Sequence, residues 1–426
     1  VYNNRMALVK DVREIDLDKG KIEVKFRDVA ATIDPTSVHF KSITDPDDVS
    51  ILEQNYEYDL VNQDKVLEKY IDQEITVFTK QDGPFKGKLL SHRGGSILLQ
   101  MDAGNLKSVA TNAVINIDFP SLPEGLITRP TLVWHLNNGG KSGAHKTEVS
   151  YLAENIDWHA EYVAVSKKED TELELNSWVS IENQSGTDYE NARLKVVAGD
   201  VNLAHRPSRP HVRKGAIMAT EAAQAPQFEE KSFFEYHLYT LQRRTTIKNN
   251  QIKQISLFPT ATTKIDKIYL YNGSRYGEDV RVNLAFKNSK EHGLGIPLPM
   301  GKIRVYKEDD ADQSLEFVGE DYIDHTPKDE KVRIYVGNAF DIKGERTKKS
   351  QRKIADKARE ETIEIKIRNH KETDIEVVVE ENVWGDWEIR NQSHPYKRKD
   401  ANTIEFKVPV KKDAETVVEY TVLYKW

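Results

Sequence analysis

Cysteine is missing from all 426 residues. Its absence excludes a disulfide framework, a zinc–thiolate centre and a cysteine nucleophile. A reducing cytosol and a cysteine-avoiding exported protein both accommodate such a chain. An excess of basic charge is missing too: 62 Lys and Arg stand against 69 Asp and Glu, a net charge of −7. No global positive field is available for nucleic acid, which is not expected as a partner. Long apolar runs are absent; no stretch approaches the roughly 20 residues that span a bilayer, so no integral membrane segment is expected. The chain also lacks a phosphate-cradling glycine loop, a Gly-x-Ser-x-Gly elbow and a zinc-protease helix motif. No cofactor is expected.

What remains is a polar chain, 38% hydrophobic and 31% charged, long enough for two to four domains. That balance suits thin β-sandwiches whose sheets each keep one wet face. Period-2 alternation dominates. Lys21-Ile22-Glu23-Val24-Lys25-Phe26 places Ile22, Val24 and Phe26 on one face, and Ile363-Glu364-Ile365-Lys366-Ile367 and Ile404-Glu405-Phe406-Lys407-Val408 repeat the pattern. Turn signals such as Asp18-Lys19-Gly20 and Gln184-Ser185-Gly186 punctuate them. The expected fold class is mainly β, with several antiparallel β-sandwich and small-barrel units in one chain and little helix. The spacing of Val66, Leu67, Tyr70 and Ile71 predicts one helix over 63–71.

Four units are expected. Residues 1–72 form an N-terminal β unit closed by the short linking helix. Residues 73–119 carry five short strands around Gly83-Pro84-Phe85-Lys86-Gly87, the signature of an SH3-like or Sm-like small barrel. Its loop residues His92, Arg93 and Lys107 are too few for a base-stacking surface, so the barrel reads as structural. Residues 120–345 form a central β-sandwich with a mobile insertion near 205–230, where His205-Arg206-Pro207-Ser208-Arg209-Pro210 breaks the apolar period. Residues 346–426 form an immunoglobulin-like β-sandwich. Close to its start, Lys348, Lys349, Arg352, Lys353, Lys357 and Arg359 crowd into a charged helix or a long hairpin tip.

Several motifs together are specific. Val1-Tyr2-Asn3-Asn4 precedes Ala7-Leu8-Val9; Asn155, Trp158 and Tyr162 mark the run 152–162. Further on come Phe234-Glu235-Tyr236-His237-Leu238-Tyr239, Leu294-Gly295-Ile296-Pro297-Leu298-Pro299, His325-Thr326-Pro327-Lys328-Asp329-Glu330 and Gly337-Asn338-Ala339-Phe340-Asp341. On these the chain resembles, over essentially its whole length, the bacterial and archaeal domain-of-unknown-function family numbered 4139, related to proteins called mucoidy inhibitors. The resemblance implies a β-rich, usually exported protein. It brings no catalytic residues with it, and the coiled-coil region of the longer relatives is missing here.

Each candidate site has a bland competitor. His325 with Asp329 and Glu330 has the residue types to hold a divalent metal or share a proton. A β-turn explains the same residues, with Pro327 presetting φ and Val332-Arg333-Ile334 as the return strand, and is favoured. Asp309-Asp310-Ala311-Asp312 resembles a fragment of a calcium loop but lacks its glycine and closing glutamate, and reads as an acidic hairpin tip. Arg304 and Glu320 are expected to pair across one hairpin. Trp384-Gly385-Asp386-Trp387 places two tryptophans around a turn where both cannot face one core, making Trp384 and Trp387 candidate contacts for a glycan or partner. Asn183, Asn272 and Asn391 each begin an Asn-x-Ser glycosylation pattern, a short signal that arises easily by chance.

The leading expectation is therefore a non-catalytic, exported envelope or extracellular protein that works by protein–protein interaction, with sheet edges suited to self-assembly or filament growth. It would sit in the periplasm, at the cell surface or outside, with a protein partner or a second copy. The strand-like opening, with Val1, Tyr2, Leu8 and Val9, is the candidate interface; a removed signal peptide or a trimmed terminus explains its lack of methionine. The alternatives are a metal-dependent hydrolase of cell-surface polymers using His325, Asp329 and Glu330, or a glycan-binding module.

Overall fold

A computed structural model describes residues 1–59, 61–123, 126–167, 170–199, 201, 227–309 and 311–426. The alternation seen in the sequence condenses into sheets, so the chain is mainly β. Helix among the described residues is confined to Gln63–Lys69, Gly273–Tyr276 and two single 3-10 turns. No described helix is long and apolar enough to cross a membrane.

The N-terminal sandwich is made of two three-stranded sheets. Met6–Leu17 and Ile33–Ser42 flank Gly143–Glu154 in one; Gly20–Arg27 and Val49–Glu57 flank Thr131–Asn138 in the other. Trp134 fills the space between them, packed on Phe26 and Phe40 at ring separations of 5.1 and 5.2 Å. Its buried indole N–H needs an acceptor and finds Gln54 Oε1 at 2.9 Å.

In sequence, a second unit lies between the outer and middle strands of this sandwich. The helix Gln63–Lys69 starts where Asn62 Oδ1 accepts the Lys65 N–H, and it buries Val66 and Leu67. Five strands follow in the spatial order Leu106–Ala110, Ser96–Gln100, Phe85–Ser91, Glu74–Thr79, Val114–Asp118. This is the expected five-strand set, but no ladder joins the two outermost strands, so the sheet does not close into a barrel. Gly87 permits a close crossing: a Cβ there would stand 2.7 Å from the Gln100 carbonyl oxygen.

In the middle of the chain, Ile156–Ser166 pairs antiparallel with Glu172–Asn183 and parallel with Gly301–Glu308, which in turn pairs with Leu315–Ile323. A smaller sheet of Lys195–Ala198, Tyr236–Leu241 and Phe228–Phe233 contributes Val196, Tyr239 and Phe228 to the same core. Trp158 donates its indole N–H to the Val197 carbonyl at 3.0 Å, tying the two sheets. Of the expected mobile insertion near 205–230, residues 205–226 lie outside the described residues; Phe228–Phe233 is a strand.

The C-terminal sheet has nine strands, in the order Asp386–Gln392, Ala414–Lys425, Ala358–Asn369, Lys331–Ala355, Asp279–Lys287, Asp266–Tyr271, Ile375–Asn382, Thr403–Val410, Tyr396–Asp400. Lys331–Ala355 runs for 25 residues and serves two partners, Asp279–Lys287 with its first half and Ala358–Asn369 with its second. The sheet folds over on itself around Ile365, Val379, Phe406 and Val418 as a sandwich. The basic run 348–359 is thus the long hairpin, not a helix.

Pairing crosses the boundaries drawn from sequence. The strands Thr131–Asn138 and Gly143–Glu154, expected in the central unit, are the middle strands of the N-terminal sandwich. Position 345 falls inside the 25-residue strand, and Asp266–Tyr271 and Asp279–Lys287 belong to the C-terminal sheet. Local composition marks strands and turns, but the partner of each strand is a non-local choice.

Candidate functional site

His325, Asp329 and Glu330, the residues of the metal alternative, lie at the turn that the sequence favours there. Among the described residues no group of three or more His, Asp or Glu side chains is placed to bind an ion. His325 Nδ1 accepts the Met300 backbone N–H at 3.0 Å, and Nε2 lies 3.2 Å from the Asn3 side-chain amide. The following turn is held by buried Asn288. Its backbone N–H donates to the Glu330 carbonyl, its own carbonyl accepts from Asp329 N–H, and its side-chain amide donates to Ile296 O at 2.6 Å and Pro327 O at 3.0 Å. Asp329 sits at φ 68°, the left-handed position an aspartate tolerates in a turn. These backbone and amide bonds form the β-turn that Pro327 and Asp329 favour in the sequence.

The other hairpin expectations hold. Arg304 lies directly opposite Glu320 with Nε 3.4 Å from its carboxylate, and Glu161 adds a second carboxylate at 3.7 Å. Asp309 Oδ1 accepts Ala311 N–H and Asp312 Oδ1 accepts Ser314 N–H, the bonds of a tight polar tip; Asp310 lies outside the described residues.

At the opening of the chain, Val1 and Tyr2 are not free to pair with another molecule. Val1 packs against the central core, its carbonyl accepts Val197 N–H at 2.9 Å, and Tyr2 forms a parallel bridge with Val197. Leu8 and Val9 lie in Met6–Leu17, opposite Leu152 and Tyr151. Val9 turns into the core, whereas Leu8 is 54% exposed. Met6–Leu17 forms one outer edge of its sheet, and no described strand pairs with its far side over those 12 residues.

The two tryptophans of the Trp384–Trp387 turn part company. Trp387 is buried, its indole N–H donating to the Ala401 carbonyl at 2.9 Å. It is a core residue and not a contact surface, because alternation along Asp386–Gln392 turns it inward. Trp384 is 41% exposed and lies flat on Tyr424, with ring centroids 4.3 Å apart and planes 14° from parallel. Trp426, 56% exposed, leans against it at 5.7 Å and 44°. The Arg359 guanidinium stands 5.2 Å from the Trp384 ring centre and 5.9 Å from that of Trp426. Arg359 is paired in register with Tyr424, which explains why the cation and the stacked rings meet. The sequence had marked Trp384; Trp426, Tyr424 and Arg359 were brought to it only by strand pairing.

Beneath this ledge runs a line of buried charge. Glu361 is nearly inaccessible and lies 2.9 Å from Arg359 Nε and 3.2 Å from Lys348 Nζ. The Arg359 N–H is not aimed at that oxygen, so the contact is Coulombic more than a directed hydrogen bond. Burial, with Glu361 and Glu381 nearby, pushes the Tyr424 phenol up to about 12. Deeper in, Glu381 is fully buried. Arg346 Nε lies 3.0 Å from each of its oxygens and Nη2 2.9 Å from Oε2, and the Tyr420 hydroxyl donates to Oε2. Burial opposes the Arg346 charge, but the Glu381 carboxylate outweighs it and raises its pKa. Tyr271 borders the pair; burial and then Glu381 push its phenol up to about 12. Each carboxylate in this line has a cation beside it, the arrangement that a buried charge requires if it is to stay charged.

The class of protein is therefore a chain of β-sandwiches with compensated charge inside and stacked aromatics at one end. The family model for the domain of unknown function DUF4139 matches residues 147–426, and the chain belongs to that family. The matched region takes in the central and C-terminal sandwiches and begins within the strand Gly143–Glu154. Comparison with curated proteins returns no match.

Proposed function

We propose that this protein is a non-catalytic interaction protein of the cell envelope that associates, with a second copy or a protein partner, through the open edge of Met6–Leu17. The observation that carries the reading is that edge itself, 12 residues long and unpaired among the described residues, with Leu8 and Val12 exposed on its outer face. An unpaired strand offers a row of N–H and C=O groups to any extended segment, and nothing else in the strand needs to change for pairing to occur. Placement outside the cytoplasm, in the periplasm or at the surface, rests on the export that the sequence resemblance implies, and a chain without cysteine is indifferent to thiol oxidation there. Repetition of one edge contact about a two-fold axis gives a dimer, while a contact between unlike surfaces grows a filament.

Light scattering on the purified chain tests this. Association that rises with concentration and is abolished by Leu8→Lys with Val12→Lys, each set on the outer face, is the expected outcome. A strict monomer at about 100 μM that also captures no partner strand in crosslinking with envelope extract removes the proposal.

A further inference from the structure

The ledge of Trp384, Trp426, Tyr424 and Arg359 calls for a ligand of its own, independently of the sheet edge, since a strict monomer would carry it unchanged. We infer that it is a carbohydrate-binding platform for the flat face of a neutral, β-linked pyranose chain. Three observations select that chemistry. First, two indoles lie half-exposed within 5.7 Å of each other, and one of them is braced from behind by a parallel phenol ring. Such bracing fixes the plane before any ligand arrives, which lowers the ordering cost of binding. A β-linked gluco-configured ring presents axial C–H bonds on one face, an apolar disc that fits a fixed aromatic plane.

Second, the cation that aromatic faces attract is already supplied from within. Arg359 stands within 6 Å of both ring centres, so an ammonium ligand would meet a guanidinium in its place. Third, Arg359 is countered by Glu361, and Lys348 shares that carboxylate, so the ledge presents hydrogen-bonding groups without a strong field of either sign. Hydroxyl groups at a ring's rim are donors and acceptors at once, which suits a guanidinium beside the stacking plane. An anionic sugar gains less, because Glu361 lies beneath the same cation.

The test uses the full chain with cellotetraose and chitotetraose as probes, followed by saturation-transfer NMR and calorimetry, with tetramethylammonium as the competing ligand class. Saturable binding of at least one oligosaccharide is expected, weakened about tenfold or more by Trp384→Ala and by Trp426→Ala. Trp178→Ala removes a tryptophan of similar exposure (39%) on another sheet and is expected to leave binding unchanged. Arg359→Lys keeps the charge but loses the planar fork, and is expected to weaken binding less than loss of an indole. The inference is overturned if neither oligosaccharide binds saturably up to about 10 mM. It is equally overturned if folded Trp384→Ala binds as the parent does, or if tetramethylammonium is the preferred ligand. None of these results depends on whether the chain self-associates.

Discussion

Replacing Arg346 by methionine probes the buried charge line most directly. The change removes the cation paired with a carboxylate that is itself fully buried, and leaves Glu381 with the Tyr420 hydroxyl as its hydrogen-bond donor. Breaking a buried pair from one side costs about 3–5 kcal/mol, because the survivor keeps its desolvation penalty without its compensation. The Arg346 side chain is 25% exposed, so water reaches the vacated space and the lower end, about 3 kcal/mol, is expected. With a urea m-value of about 2 kcal/mol/M, the midpoint of the C-terminal sandwich should fall by about 1.5 M. The complementary variant carries Arg346→Met, Glu381→Leu and Tyr420→Phe together, removing both charges and the hydroxyl that would otherwise be stranded. It should recover to within about 1 kcal/mol of the parent, since a well-packed apolar replacement avoids both desolvation costs. Urea unfolding followed by tryptophan fluorescence reads both. If the single variant lies within about 1 kcal/mol of the parent, or the triple variant is less stable than the single, the account of this pair as a compensated liability is wrong.

Two further results are expected. Tyr271 and Tyr424 have phenols pushed up to about 12, and burial raises those of Tyr162, Tyr239 and Tyr420 as well, whereas an unfolded phenol ionises near 10. The folded state thus holds protons that the unfolded state releases, so stability is full below about pH 10 and falls between about 10 and 12 by about 1.4 kcal/mol per pH unit for each phenol. Tyrosinate absorbance for these groups should rise together with loss of circular dichroism; gradual ionisation of a still-folded chain would contradict their burial. Separately, Gly344→Ala sets a Cβ 2.1 Å from the Tyr271 ring and should cost about 1–3 kcal/mol, while Gly83→Ala, with open space around it, should stay within about 0.5 kcal/mol in thermal unfolding.

Much of the fold was legible because strand chemistry is local. Ile363, Ile365 and Ile367 alternate in the sequence and are all buried in the sandwich, and the Arg304–Glu320 pair follows from one hairpin. The helix over 63–71 was recognisable from its apolar spacing, though Ile71 falls beyond its end and is exposed. What local pattern does not encode is which strands meet. The parallel pairings of Ile156–Ser166 with Gly301–Glu308, and of Asp266–Tyr271 with Ile375–Asn382, join residues far apart in sequence and displaced the expected boundaries. The same limit governs the site. Glu380 and Glu381 read alike at the end of one strand, and the burial of Glu381 depends on Arg346 and Tyr420 arriving from two other strands. Trp384 and Trp387 flank one turn as equals in the sequence, and only the neighbouring Tyr424 and Ala401 decide which is surface and which is core.

The divided N-terminal sandwich has a consequence for how the chain reaches its native state. Its four outer strands are complete by Glu57, yet each finds its ladder on Thr131–Asn138 or Gly143–Glu154. As the polypeptide emerges from a ribosome or a secretion channel, those early segments must wait, with their edges bare, until residue 154 has followed. The intervening helix and five-strand unit can fold meanwhile, since its strands pair only within their own stretch. A waiting period of this kind exposes sticky backbone, and it makes a holding chaperone or slow, guarded delivery a natural companion of this architecture.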